Sequence, residues 1–149
     1  FLLVTQNVDG LHRKAGSQHI LEIHGNIQQT RCATCLTPDE TWEERHLHPP
    51  DCPKCGGLLR PNVVWFGESL SKEALNQAVI TSKACEIFFS IGTSNLVQPA
   101  ASLPVIALQS GAMVVEINPN PTPISRQVTY SFRGCFGDIM PEIVQTAWG

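Results

Sequence analysis

Residues 87–94 read IFFSIGTS: an almost unbroken apolar run that stops on a glycine and two hydroxyls. A run without polar alternation predicts a strand buried on both faces, as in a parallel sheet covered by helices. Residues 113–118, MVVEIN, repeat the form with an asparagine at the stop, and residues 1–9, FLLVTQNVD, give a third example. Helices are predicted between them. Residues 71–84 carry Ser71 as N-cap and Ala74, Leu75, Ala78 and Val79 on one face. Residues 99–109 end at Gly111, with Pro104 expected to kink or shorten that helix. Buried strands alternating with helices specify a doubly wound α/β sheet. Ligands bind such sheets beyond the carboxyl ends of the strands. The polar stops after Thr5, at Gly92-Thr93-Ser94 and at Asn118 are therefore expected to share one edge.

Smaller elements fill in around this frame. Asp9 is expected to cap a short helix over residues 9–15, with Gly16 as its stop. Residues 20–23 and 27–31 read as short strands, residues 59–66 as an extended stretch, and residues 129–132 as a last strand. A closing helix is expected over residues 138–146, with Pro141 in its first turn.

Residues 32–58 differ in character. They are rich in proline and poor in large aliphatics, and they hold Cys32-Ala-Thr-Cys35 and Cys52-Pro-Lys-Cys55. Such a segment cannot bury enough apolar surface to fold unaided. Two CxxC turns at this spacing predict a closed tetrahedral zinc site with a structural role. His46 and His48 are read as exposed loop residues rather than ligands. The domain division expected is residues 1–31 and 59–149 for the α/β domain and 32–58 for the zinc-binding insert.

The whole chain has 149 residues, 42% hydrophobic and 15% charged, with a formal net charge of −3. These values describe a globular chain and disfavour a phosphate-tracking nucleic-acid binder. No apolar run approaches the roughly 20 residues of a membrane span. Paired cysteines without a secretory leader point to a reducing, intracellular compartment: cytoplasmic in a bacterium, or mitochondrial in a eukaryote. Phe1 stands where a complete chain would have Met, so the sequence reads as a piece of a longer protein.

Two further features carry chemistry. His24 precedes Gly25 after a short apolar strand, and imidazole suits proton transfer near neutral pH. Residues 63–68, VVWFGE, read as a strand edge able to pair with an extended peptide, with Trp65 or Phe66 walling a pocket. No GxxxxGK[ST] run occurs, which argues against an ordinary P-loop enzyme.

TQNVDGLH, EIHG, the CxxC pairs, RPNVVWFGE, SIGTSNLVQPAA, VVEIN and GCFGDIMPEIV, taken in that order, resemble the sirtuin family of NAD-dependent protein deacylases. The resemblance implies a Rossmann-like domain with a small zinc-ribbon domain, and substrates bound in the cleft between them. It implies that the acyl-lysine oxygen attacks the nicotinamide ribose and expels nicotinamide. His24, as catalytic base, then takes a ribose hydroxyl proton, leading to free lysine and O-acyl-ADP-ribose. Gln6, Asn7, Val8 and Asp9 match the cofactor run around nicotinamide. Gly92, Thr93 and Ser94 match ribose and phosphate contacts, and Asn118, Pro119, Asn120 and Phe136 match the adenosine side. Val64, Phe66, Gly67 and Glu68 match the strand that binds acyl-lysine peptide.

The form VVWFGE resembles the branch containing bacterial enzymes and mitochondrial desuccinylases, which select acidic acyl groups with a tyrosine and an arginine upstream of Phe1. Two positions depart from the family pattern. Asn120 stands where a carboxylate is common, and Phe136 occupies a small-residue position. The family's glycine-rich phosphate loop is not among these residues, so the segment alone is expected to be nearly inactive. Two rival readings are a zinc-ribbon binding module without catalysis and an NAD-dependent protein ADP-ribosyltransferase.

Overall fold

The computed structural model describes residues 1–40 and 48–149. His46 lies outside the described residues. The chain divides into two compact units, Phe1–Leu75 and Asn76–Gly149.

In the first unit, β1 (Leu3–Thr5) pairs in parallel with β2 (Ile20–Glu22), Leu3 opposite Ile20 and Thr5 opposite Glu22. The helix between them, α1, covers only Leu11–Lys14, shorter than the 9–15 expected. Gly10 takes φ 70°, a left-handed conformation that bars helix before Leu11. Asp9 still serves the turn, its Oδ1 accepting the Leu11 N–H at 2.9 Å. The strand β3 (Gly25–Cys32) is central in an antiparallel sheet, flanked by β4 (Pro38–Asp39) and β5 (Leu59–Val63).

The pairing of β3 with β5 depends on Gly25. Its φ is 81°, and a Cβ there would stand 1.9 Å from the Asn62 carbonyl oxygen. No side chain fits that approach. The extended stretch expected to reach residue 66 stops as a strand at Val63. The chain turns instead, with the Glu68 N–H donating to the Trp65 carbonyl at 2.9 Å.

The helix α2 (Lys72–Ala84) begins after Ser71, whose Oγ accepts the Ala74 N–H at 3.3 Å, as an N-cap should. In the second unit a parallel sheet runs in the order β6 (Ile87–Ile91), β7 (Met113–Ile117), β8 (Tyr130–Phe132). Ile91 lies opposite Ile117, and Ile117 opposite Phe132, so the strands end in step. The crossover from β6 to β7 is a 3₁₀ turn at Ala100–Ser102 followed by α3 (Leu103–Gln109). Pro104 falls in the first turn of α3, where a missing N–H costs nothing, and so sets the helix start. Ala107, Ala112 and Val114 form the core beneath it, packed by Phe88, Leu108 and Val128. Full burial of a side chain such as Val114 contributes about 1.5–3 kcal/mol.

The last helix, α4, runs Phe136–Trp148 rather than 138–146, which places Pro141 sixth instead of in the first turn. It starts earlier because the Cys135 carbonyl accepts the N–H groups of both Asp138 and Ile139, each at 3.2 Å. Pro141 then costs one hydrogen bond, the one Gly137 would have accepted. Among the described residues no helix is long and apolar enough to cross a membrane.

Candidate functional site

The cysteine turns lie at one end of the antiparallel sheet. The sulfurs of Cys32, Cys35, Cys52 and Cys55 all fall within 4.8 Å of one another, and none is in a disulfide. Cys32 to Cys55 is 3.5 Å and Cys35 to Cys52 is 3.8 Å. A zinc tetrahedron with bonds of about 2.3 Å has edges of about 3.8 Å, so these sulfurs are already at ligand spacing. Backbone N–H groups of Thr34 and Cys35 point at the Cys32 sulfur at 3.3 and 3.4 Å. Gly57 donates to the Cys55 sulfur at 3.4 Å, and a Cβ on Gly57 would strike the Thr34 hydroxyl at 2.4 Å.

The electrostatics ask for a cation. The Thr37 hydroxyl, with its backbone, draws the Cys35 thiol down to about 6. The Cys35 N–H, aided by Thr34, draws Cys32 down as well. At Cys55 the Gly57 N–H also pulls downward, but Cys32 and Cys35 crowd it and push it up to about 11. Four sulfurs at this distance cannot all ionise without a positive charge among them, which a bound zinc ion would supply. His48, placed between the pairs in sequence, is exposed, and the four cysteines form the cluster among the described residues.

Also in the first unit, the run at residues 6–9 is held by β3 and its approach. His24 Nδ1 lies 3.0 Å from the Gln6 carbonyl oxygen. The Ile27 N–H donates to the Val8 carbonyl at 2.8 Å, and the Thr5 hydroxyl accepts the Asn7 N–H at 3.0 Å. Asn7 itself is exposed. A carbonyl can only accept, so the Gln6 contact places the proton on Nδ1 and leaves the Nε2 lone pair unprotonated in neutral imidazole. On its other side the His24 carbonyl accepts the Val64 N–H at 2.9 Å. The structure therefore joins residue 6 to His24 through the imidazole, residue 8 to β3 through the Ile27 N–H, and His24 to Val64 through its carbonyl.

Beyond Val64 the chain presents Trp65, 56% exposed, and Phe66, 98% exposed. Glu68 fixes this turn. Its carboxylate accepts from Arg60 and Arg31, and from the Trp65 N–H at 3.1 Å. The Arg60 hydrogen bond, with the Trp65 N–H, holds the Glu68 carboxyl below its usual range. Arg60 lies over the Trp65 ring at 4.4 Å, a cation–π contact.

In the second unit the stops after β6 and β7 are neighbours. Gly92 donates its N–H to the Ile117 carbonyl at 3.0 Å, and Asn118 Nδ2 donates to the Thr93 carbonyl at 2.8 Å. Nothing lies within 4 Å of where a Cβ of Gly92 would stand, and Ser94, Pro119 and Asn120 are exposed. Phe136, 48% exposed, opens α4 in the same unit. The stop after β1 belongs to the two-stranded sheet of the first unit.

One further residue at this edge, without a role in the sequence expectations, is Glu116. Glu116 is fully buried, and its carboxylate accepts from the hydroxyls of Thr122, Ser125 (2.7 Å) and Ser131 (2.8 Å) and pairs with Arg133 at 3.1 Å. Burial pushes its carboxyl up, but the three hydroxyls and the guanidinium outweigh that and hold it below the ordinary carboxylate value. The signal was present in MVVEIN: a carboxylate inside an apolar strand must be paired.

The Sir2 family model matches residues 1–99. The chain belongs to the Sir2 family. It is 45% identical to NAD-dependent protein deacylase 1 of Pseudomonas aeruginosa over 98% of its own length and 62% of the relative's. It is 44% identical to NAD-dependent protein deacylase 1 of Archaeoglobus fulgidus, over 96% and 59%. The Sir2 chain spans roughly three-fifths of the length of the curated relatives it matches. A solved Sir2 homologue–NAD complex superposes with TM-score 0.92 at 43% identity, over 98% of this chain and 57% of that one. A Sir2–p53 peptide–NAD+ complex gives 0.86 at 31%, over 98% and 62%. The Rossmann-like α/β fold with a zinc-type cysteine cluster is thus established for this Sir2 chain.

Proposed function

We propose that the protein containing this chain removes acyl groups from protein lysines in an NAD-dependent reaction, releasing nicotinamide and O-acyl-ADP-ribose, with His24 as the base. The observation that carries the proposal is the placement of His24. Its Nδ1 is engaged by the Gln6 carbonyl, its main chain is tied to Val64, and its Nε2 is left to accept a proton.

NAD supplies the ribose carbon that is attacked and the nicotinamide that leaves. In the proposed scheme Gln6, Asn7, Val8 and Asp9 bind the nicotinamide end, the amide of Asn7 matching a carboxamide that donates and accepts. Gly92, Thr93 and Ser94 take ribose and phosphate oxygens. Asn118, Pro119, Asn120 and Phe136 take adenosine. Val64, Phe66, Gly67 and Glu68 form the edge along which an acyl-lysine peptide lies extended. The Gln6 carbonyl orients the imidazole and stabilises its protonated form after transfer. Cys32, Cys35, Cys52 and Cys55 hold one zinc ion, with no position open for catalysis. The domain division at residues 32–58 follows from that role.

Support comes from the relatives named as deacylases and from the NAD and peptide complexes of the superposed structures. The test is an acyl-lysine peptide assay on the full-length protein. Nicotinamide release should require both NAD and peptide, and His24→Ala should lower it by about 10²–10⁴-fold with peptide binding kept. Turnover of His24→Ala at the wild-type rate would overturn the assignment. For the acyl group we propose acetyl, with succinyl and malonyl as further substrates on the VVWFGE form. Failure to turn over acetyl-lysine peptide would overturn the first part, and failure with succinyl- and malonyl-lysine peptides the second.

A further inference from the structure

We infer that Glu116 and Arg133 are positioning residues for nucleotide recognition: together they clamp the loop over residues 118–125 in the shape that meets adenosine. The inference rests on the NAD-binding reading above and adds to it two side chains that need not touch the nucleotide.

Glu116 is the penultimate residue of β7, just before the proposed contact loop, and is wholly shielded from solvent. A buried carboxylate is costly unless paired, so its position must be maintained by the groups around it. Those groups come from two segments. Thr122 and Ser125 belong to the turn after Asn120; Ser131 and Arg133 belong to β8 and the residues that follow it. Arg133 then reaches the loop itself, its Nη1 donating to the carbonyls of Asn120 at 3.0 Å and Asn118 at 3.4 Å. Thr122 extends the clamp to the neighbouring strand end, accepting from Asn95 Nδ2 at 3.4 Å, which also reaches Ser90 Oγ at 3.4 Å.

Each tie ends on backbone or on a buried group, while Pro119 and Asn120 stay exposed. One anion thus fixes both ends of the loop without occupying its open face. A glutamine at 116 keeps the shape but loses the charge and one acceptor, so Arg133 is released from its partner and the loop carbonyls with it.

The experiment uses the full-length protein, with Glu116→Gln, Arg133→Met and the double variant, each checked for folding by thermal unfolding. ADP-ribose affinity is measured by calorimetry, and KM for NAD, KM for peptide and kcat by nicotinamide release. Loss of a charged hydrogen-bond network predicts that ADP-ribose affinity falls and KM for NAD rises about tenfold in each single variant. The double variant should be no worse than either single one, since the two act as a unit. KM for peptide and kcat at saturating NAD should stay within about twofold of wild type. Amide exchange should rise across residues 118–125 and not across residues 113–117, a readout that does not depend on NAD.

Unchanged ADP-ribose affinity in a folded Arg133→Met protein would overturn the inference while leaving the NAD reading intact. So would a fall in kcat and peptide affinity equal to that for NAD. A wild-type protein that binds no ADP-ribose would overturn both. If Glu116→Gln does not fold, Arg133→Met, at a side chain 37% exposed, carries the test.

Discussion

The cysteine cluster of the first unit and the Glu116 cluster of the second solve one problem in opposite ways. Each replaces an apolar core with a crowded anion where loops must be held in place. The four cysteine sulfurs stand at metal-ligand spacing and are expected to take a metal ion as their counter-charge. Glu116 has Arg133, 3.1 Å away, and three hydroxyls, all from the chain itself. The first is therefore conditional on an external ligand and the second is built in.

Metal removal separates the two most sharply. One equivalent of zinc per chain is expected, and chelation should unfold the cysteine segment while β6 and β7 keep their amide protection. Zinc sites of this kind contribute on the order of 10–16 kcal/mol in isolated peptides. Loss of protection in the second unit to the same extent would break the distinction. The counterpart for the second unit is Glu116→Ala, which leaves Arg133 and three hydroxyls without their acceptor. A cost of about 3–5 kcal/mol is expected in denaturant unfolding, as for other broken buried pairs. A loss below about 1 kcal/mol would mean the network is not structural at all.

Acid acts on the carboxylates with a defined sign. Glu116 and Glu68 are both held below the ordinary value in the folded chain, so each adds stability that is complete above the unfolded value of about 4.3. That stability is lost as pH falls through the lower folded values. Unfolding midpoints should be flat across the carboxylate range above about pH 5 and drop below it, and Glu116→Gln should flatten the drop. A midpoint that falls identically with pH in wild type and variant would remove Glu116 from the acid response. The smallest effect is expected at the stack of buried Arg60 on the exposed Trp65 ring. Trp65→Ala should cost about 0.5–1 kcal/mol there, read by denaturant titration against Trp65→Phe.

The same contrast explains what could be read from the sequence. The cysteine site was legible because two CxxC turns name their ligands by spacing alone. β6 and β7 were legible to the residue because unbroken apolar runs end at polar stops. Boundaries failed where backbone conformation or distant partners decide. Gly10 in the left-handed region shortened α1, the Trp65–Glu68 turn ended β5 early, and the Cys135 carbonyl started α4 before Pro141 could mark its first turn. Glu116 was passed over because its partners lie up to 17 residues away, at Arg133, and no local pattern connects them. Resemblance located His24, but only the structure gave its tautomer, through the Gln6 carbonyl 18 residues earlier.

His24, held by the Gln6 carbonyl, is proposed to be the proton acceptor of NAD-dependent deacylation in the full-length protein. The most direct measurement is nicotinamide release by full-length protein with acyl-lysine peptide, comparing wild type with His24→Ala at saturating NAD. Release that depends on peptide and falls by about 10²-fold or more in the variant, with peptide affinity kept, is the predicted result. Release unchanged by the substitution, or none from the wild-type protein with any acyl-lysine peptide, would contradict it.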